Sequence, residues 1–316
     1  MRPALSLDMV EAARSQIAPH VRRTPLMPAI ALQQPISGCD NLWLKLDCLQ
    51  VTGSFKARGA VNKLLSIPPD SLRQGVITAS GGNHGLAVAY AAWMAKVPAT
   101  IYLPHNTPPV KAEKLQQWGA TVIREGAVWD EANWAALIHA DQAQMPYLHP
   151  FADPWVMAGQ GTILLEVLED LPAVDTLLVA IGGGGLISGI SLTAKALRPE
   201  ITIIGVEATG APTLQASLAA GKIVELPTVN TKANTLAPRQ TASVNFDIIR
   251  RCVDEVVLVT DEQMQAAARW LWFEMGVAAE LSGAATIAAL QSGAYQPPPN
   301  AQVCALICGA GTDGIV

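Results

Sequence analysis

Short apolar runs alternate with stretches of helical spacing along most of the chain. The runs VITAS (76–80), ATIYLP (99–104), TLLVAIG (176–182), ITIIGVE (201–207), EVVLVT (255–260) and VCALIC (303–308) have the length and composition of buried strands. GLAVAYAAWMAKV, VKAEKLQQWG, LISGISLTAKAL and EQMQAAARWLWFEMG follow four of them and read as helices. Gly119 is the predicted stop of the second helix, and Asp261 the predicted cap of the last. Such alternation predicts an α/β fold with mostly parallel sheets covered by helices. QPPPN (296–300) breaks the chain before its last strand, and HPFADP (149–154) reads as a crossing between two lobes.

Composition narrows the classes. With 316 residues, 50% of them hydrophobic and 15% charged, the chain can bury a large core, and about two domains are expected. A net charge of −5 gives no general affinity for phosphate backbones, so no nucleic-acid partner is expected. No apolar run approaches the roughly 18 residues of a membrane span. The N-terminal stretch MRPALSLDMVEAARSQ lacks a continuous apolar signal core, so no secretion signal is expected. The five cysteines (Cys39, Cys48, Cys252, Cys304, Cys308) show no CxxC spacing, which fits a reduced, cytoplasmic protein.

In open parallel sheets, ligands gather beyond the carboxyl ends of the strands. Three of those places are rich in glycine: SGGNHG (80–85), GGGG (182–185) and CGAGTDG (308–314). Gly182, Gly183, Gly184 and Gly185 lie between a strand and a helix, where free N–H groups and the helix N-terminus attract phosphate. A tight turn explains one or two glycines, not four. A nicotinamide nucleotide is the rival ligand, with Glu207 placed for a ribose. However, GxGxxG fails from Gly183, because its last position is Ser188. The literal match at 309–314 has no helix after it. Asn83 either caps the helix it begins or donates its amide to a ligand; His84 reads as structural.

Gly53-Ser54-Phe55-Lys56-Ala57-Arg58-Gly59-Ala60 carries a lysine between glycine, an aromatic and a helical stretch. A lysine there is usually solvated. Partly desolvated in a cleft, it shifts toward the neutral amine and can form a Schiff base. Together with RRTPL (22–26), SGGNHG, HPFADPWVMAGQGTILLEVLE (149–169), GGGGLISG (182–189), IIGVEA (203–208), ELSGA (280–284) and ICGAG (307–311), this segment resembles the fold type II pyridoxal-phosphate enzymes. These are the β family of tryptophan synthase, and the likeness is greatest to serine/threonine dehydratases and serine racemases.

The resemblance implies pyridoxal 5'-phosphate as cofactor and two open, twisted α/β lobes around it. The larger lobe would comprise residues 1–72 and 152–316, and the smaller, mobile lobe residues 73–151. Lys56 would be the Schiff-base lysine and proton carrier, with Phe55 against the cofactor ring. Asn83 would bond its phenolic oxygen, and Gly182, Gly183, Gly184 and Gly185 would hold its phosphate. Cys308 would stand beside the pyridine nitrogen. Ser80, Gly81, Asn83 and His84 would grip the carboxylate of an amino-acid substrate. The implied reaction is β-elimination from serine, threonine or a related β-hydroxy amino acid, giving a 2-oxo acid and ammonia. A homodimer is also implied.

Departures from the family pattern shape that expectation. Serine racemases carry a serine where this chain has Gly81, so stereoinversion is disfavoured, though a route through water stays open. The places matching a divalent-cation site are Glu207, Ala211 and Thr213. A hydroxyl there replaces a carboxylate, so no strong Mg²⁺ or Ca²⁺ dependence is expected. Glu207 is left for a monovalent ion or for capping its loop. Thr312 and Asp313 stand where an asparagine is usual, and no regulatory domain of the biosynthetic dehydratase type is expected. Eight tryptophans stand against four Phe and four Tyr; Trp118, Trp129, Trp134 and Trp155 read as core, with Trp129 also a candidate for the substrate pocket. Serine racemisation, β-replacement as in cysteine synthesis, a binding protein without turnover and a nicotinamide dehydrogenase stand as alternatives.

Overall fold

The computed structural model describes residues 3–315. In chain order its elements begin with α1 (Leu7–Ile17), β1 (Leu26–Pro28), β2 (Leu42–Lys45) and α2 (Lys56–Leu65). β3 (Val76–Ala79), α3 (Asn83–Ala95), β4 (Ala99–Leu103), α4 (Pro109–Gln117), β5 (Thr121–Arg124) and α5 (Trp129–Gln142) follow. The chain then runs through α6 (Pro154–Asp170), β6 (Thr176–Ala180), α7 (Gly185–Leu197), β7 (Thr202–Ala208) and α8 (Thr213–Ala220). It closes with α9 (Ser243–Cys252), β8 (Glu255–Val259), α10 (Asp261–Met275), α11 (Leu281–Gln291) and β9 (Val303–Leu306).

The strands form two open sheets. The larger has the order β1-β2-β9-β6-β7-β8, parallel except where β1 meets β2. The smaller has the order β3-β4-β5 and is parallel throughout. β6 and β9 read as continuous apolar runs because helices cover both faces of the sheet, so every one of their residues is buried. The predicted α/β fold is therefore what the chain adopts, with each predicted strand present. The short β1, β2 and β5 carry no such apolar signal. The cap of α10 is Thr260 rather than Asp261: Thr260 Oγ1 accepts from Gln263 N, and the Gln263 side chain accepts from Thr260 N.

α2 lies between the two sheets. Ala57, Ala60, Val61 and Leu64 join the apolar core of the smaller sheet with Val76, Ala87 and Ile101. On its other side α2 meets α6 at a glycine crossing. A methyl group on Gly59 would overlap Gln160 and the Val156 carbonyl, and one on Gly159 would overlap the Arg58 carbonyl. α6 in turn meets α7 at Gly189, where a methyl group would overlap the Met157 carbonyl. The helices that begin at Lys56 and at Gly185 are thus both pressed backbone to backbone on α6. Gly189→Ala is expected to cost about 2 kcal/mol, because a main-chain oxygen cannot turn aside as a side chain can. A lower urea midpoint with unchanged slope would show it.

Candidate active site

Lys56 opens α2 at the bottom of a cleft between the sheets. The cleft is lined by Phe55, Asn83, Phe151, Gly182–Gly185, Thr235, Glu280, Ser282 and Cys308. Two main-chain pairings bring Lys56 there. Phe55 N–H donates to the Cys308 carbonyl at 3.1 Å, and Ala310 N–H donates to the Gly53 carbonyl at 2.8 Å. The GSFK loop is thereby pinned to the chain leaving β9. The Lys56 Nζ donates to the Pro150 carbonyl at 2.8 Å and stands 5.0 Å from the centre of the Phe55 ring. Burial lowers its pKa to about 8, against the opposing pull of nearby acidic groups such as Glu280.

The glycine run lines the same cleft as Lys56. Gly184 caps α7 in the left-handed region, at φ 94°, and no side chain caps the helix. The first N–H groups of α7 therefore lack intrahelical partners and favour an anion. A methyl group on Gly183 would overlap the Phe151 ring, and one on Gly182 the Thr235 carbonyl. Glycine is required at these positions because those walls close directly on the loop. Cys308 lines the same cleft, its Sγ 3.7 Å from the Ser282 carbonyl. Burial, reinforced by the charge of Glu280, holds this thiol well above its ordinary pKa, so it is a neutral thiol at physiological pH.

Asn83 is the first residue of α3 and does not cap it; Gly82 holds that place, which removes the capping alternative. Its Nδ2 donates to Glu280 Oε1 at 2.9 Å. Ser282 and Thr235 hydroxyls complete that cluster: Thr235 donates to Ser282 at 2.6 Å, and Ser282 to Glu280 at 2.5 Å. Burial raises the Glu280 carboxyl, while the Ser282 and Asn83 hydrogen bonds pull it back. Gly81, Gly82 and Asn83 border an outer cavity of about 430 Å³ that continues the cleft past Thr235 and Glu280. Ser80 Oγ accepts from Gly82 N at 3.3 Å and shapes the turn. His84 is buried, with Nε2 3.0 Å from the Leu148 carbonyl. Burial, followed by the charge of Lys56, pushes its pKa down to about 3, so the ring is neutral.

The outlying candidates sit elsewhere. Glu207 Oε1 and Oε2 accept from Leu214 N and Gln215 N, each at 2.8 Å, so the carboxyl caps α8. The Thr213 hydroxyl donates to the Pro238 carbonyl at 2.7 Å, and Ala211 N–H is held by the Ala208 carbonyl. Trp129 and Trp134 are exposed rather than core; Trp129 Nε1 donates to the Ala79 carbonyl behind the SGGN loop, and Trp129 is not among the residues lining the cleft. Sequence reasoning gave no role to Glu280, Ser282, Thr235 or Phe151, although ELSGA and HPFADP contain three of them.

An amine that loses its proton easily, a flat aromatic beside it and an anion-binding turn opposite suit an aldehyde that carries a phosphate. The buried thiol suits an uncharged ring nitrogen. These residues fit pyridoxal phosphate. A family profile described as "Pyridoxal-phosphate dependent enzyme" matches residues 17–309. The chain is 40% identical over 305 residues to an L-threonine ammonia-lyase of Geobacter sulfurreducens, covering 96% of this chain and 75% of the relative. It is 35% identical over 293 residues to a serine racemase of Oryza sativa subsp. indica, covering 93% and 86%. The structure of maize serine racemase superposes with a TM-score of 0.90 at 33% identity, covering 98% of this chain and 94% of that one. In fold, cleft and sequence, the chain belongs to the family of pyridoxal-phosphate dependent enzymes.

Proposed function

We propose that the chain is an ammonia-lyase that converts serine, threonine or a related β-hydroxy amino acid to a 2-oxo acid and ammonia. The observation that carries this reading is the placement of Lys56 and Gly182–Gly185 in the lining of one cleft. Bound pyridoxal phosphate supplies an electron sink that acidifies the substrate Cα–H. Lys56 Nζ takes that proton, since burial holds a useful fraction of the amine neutral near pH 7. The N–H groups of Gly182–Gly185 and of the first turn of α7 anchor the phosphate. Asn83 orients the reacting group from the smaller lobe, and the loop from Ser80 to His84 receives the substrate carboxylate. The neutral Cys308 thiol leaves the ring nitrogen largely unprotonated, which favours prompt loss of the β-hydroxyl. Water leaves, and the released enamine hydrolyses to the 2-oxo acid and ammonia.

Gly81 favours elimination over inversion, because it puts no hydroxyl on the face opposite Lys56. A side chain grown there would also press on Leu103 and Thr107, each 3.2 Å from the added carbon. The Glu207 carboxyl is engaged by α8 rather than free for a cation, so metal activation is not part of this reading. The setting proposed is cytoplasmic, supported by free thiols at Cys39, Cys48, Cys252, Cys304 and Cys308. No helix among the described residues is long and apolar enough to cross a membrane. A homodimer, and closure of the smaller lobe on substrate, are proposed from the resemblance.

Incubation of the holoenzyme with L-serine or L-threonine alone is expected to release equimolar ammonia and 2-oxo acid. Lys56→Ala should cut this by about 10³-fold or more and abolish the borohydride-sensitive visible band. D-serine as the main product, or a requirement for an added thiol, would overturn the assignment. EDTA should leave the rate within about twofold, since hard cations need charged oxygen ligands that are free to bind. Loss of activity restored by Mg²⁺ would refute that. Attachment of pyridoxal phosphate to the apoprotein requires the neutral amine. Its rate at limiting cofactor should therefore rise with pH through a midpoint near 8, in place of about 10.5 for an unperturbed lysine.

A further inference from the structure

Behind Lys56, on the side of α2 away from the cleft, lies a closed set of buried ions that the chemistry above does not use. Arg58, Lys45, Asp47 and Glu166 are all buried, and their charges cancel. Arg58 Nε and Nη2 donate to the two Asp47 oxygens, each at 2.9 Å. Nη1 donates to Glu166 Oε1 at 2.6 Å and to Thr162 Oγ1 at 3.3 Å. Nη2 also reaches Glu166 Oε2 at 3.0 Å and Thr24 Oγ1 at 3.2 Å. Lys45 Nζ donates to Glu166 Oε2 at 2.6 Å and to the Thr24 carbonyl at 2.7 Å. The Thr24 hydroxyl closes the ring on Asp47 Oδ1 at 2.6 Å.

The set joins four distant segments: Thr24 before β1, the end of β2 with the turn after it, the first turn of α2, and the middle of α6. Its two edges lead to the chemistry. Asp47 lies beside Cys48, whose N–H donates to the Ile307 carbonyl at 2.7 Å, next to Cys308. Arg58 stands two residues from Lys56, about 200° around the helix. The side chains therefore point to opposite sides, one into the cleft and one into the clamp. α2 has no side-chain cap at this end. Its other side-chain ties to α6 and the α6 cap, Asn62 to the Trp155 carbonyl at 2.7 Å and Lys63 to Asp153 at 3.0 Å, lie a turn or more beyond Arg58. With an amine about 8 Å from the helix axis, a turn of ~10° moves it by about 1.4 Å.

We propose that Arg58 is a positioning residue for Lys56: its planar fork, held between Asp47 and Glu166, fixes the rotation of the first turn of α2 and so the place of the amine between the glycine run and Cys308. The fork is the operative feature. A guanidinium engages two carboxylates at fixed angles, whereas an ammonium is a point charge that leaves the helix free to turn.

This inference rests on Lys56 being the cofactor lysine, so the wild-type holoenzyme is measured first. A borohydride-sensitive visible band and release of ammonia from serine establish that reading; their absence would sink both together. Given them, Arg58→Lys is expected to load cofactor while its visible band titrates at a shifted pH. Its kcat should fall by about 10- to 100-fold with KM changed less than about threefold, the signature of a misplaced reacting group. A folded Arg58→Lys holoenzyme with the wild-type spectral titration and kcat would overturn the proposal and leave the ion set a structural clamp alone. If Arg58→Lys does not fold, Asp47→Asn, which keeps the shape and one acceptor, is read by the same two measurements. A shifted titration with reduced kcat supports the inference, and wild-type values refute it.

Discussion

The main-chain bond from Phe55 N–H to the Cys308 carbonyl is the constraint on which the site depends. It joins a loop near the start of the chain to a strand exit near its end. Through it, the amine of Lys56 and the thiol of Cys308 are brought to one cleft by the main chain. β9 lies between β2 and β6 in the larger sheet, so the bond is anchored in the most buried part of the fold. The glycine run hangs from β6, the neighbouring strand. One sheet therefore anchors both the GSFK loop and the glycine run, and the second sheet contributes Asn83 and the loop before it.

The segment between the sheets is held as firmly as the sheets themselves. Thr78 Oγ1 and His84 both meet the Leu148 carbonyl, at 2.9 and 3.0 Å. His149 Nδ1 accepts from Phe151 N and Ala152 N, at 3.2 and 2.8 Å. The Pro150 carbonyl takes Lys56, and Phe151 closes on the glycine run. A connection that would ordinarily be a loose linker is thus a wall of the site, its backbone polar groups held by its own His149 and by Lys56, Thr78 and His84.

Much of this was legible in the chain. β6, β7, β8 and β9 are apolar on both faces and announce themselves; the glycines at 182–185 announce a tight, polar turn. What was not legible is non-local. β2 ends in Lys45, which is buried only because Glu166, 121 residues later, accepts its proton-bearing end. Nothing near Lys45 signals that partner, and an LWLK run reads poorly as a core strand. β5 is partly exposed along its length and carries no apolar stripe. Glu280 reads as an ordinary residue before a helix. Its place in the cleft comes from Asn83, 197 positions earlier, and from Gly309, which lies so close that a methyl group there would overlap its carboxyl. Thr260 and Asp261 are both good caps, and only the reciprocal bond with Gln263 decides between them.

The glycine crossings also limit how the molecule can be stiffened. Exchanging glycine for alanine usually strengthens a protein by narrowing the freedom of its unfolded chain, provided the site has room and an ordinary backbone angle. Of the 25 glycines here, those with open space around them are in the left-handed region, except Gly82. Gly82 alone has both a permitted angle and nothing within 4 Å of an added carbon. It borders the mouth of the cleft. Rigidity gained by this route would be placed at the rim of the cleft, so hardening against heat and freedom of that rim compete at a single residue.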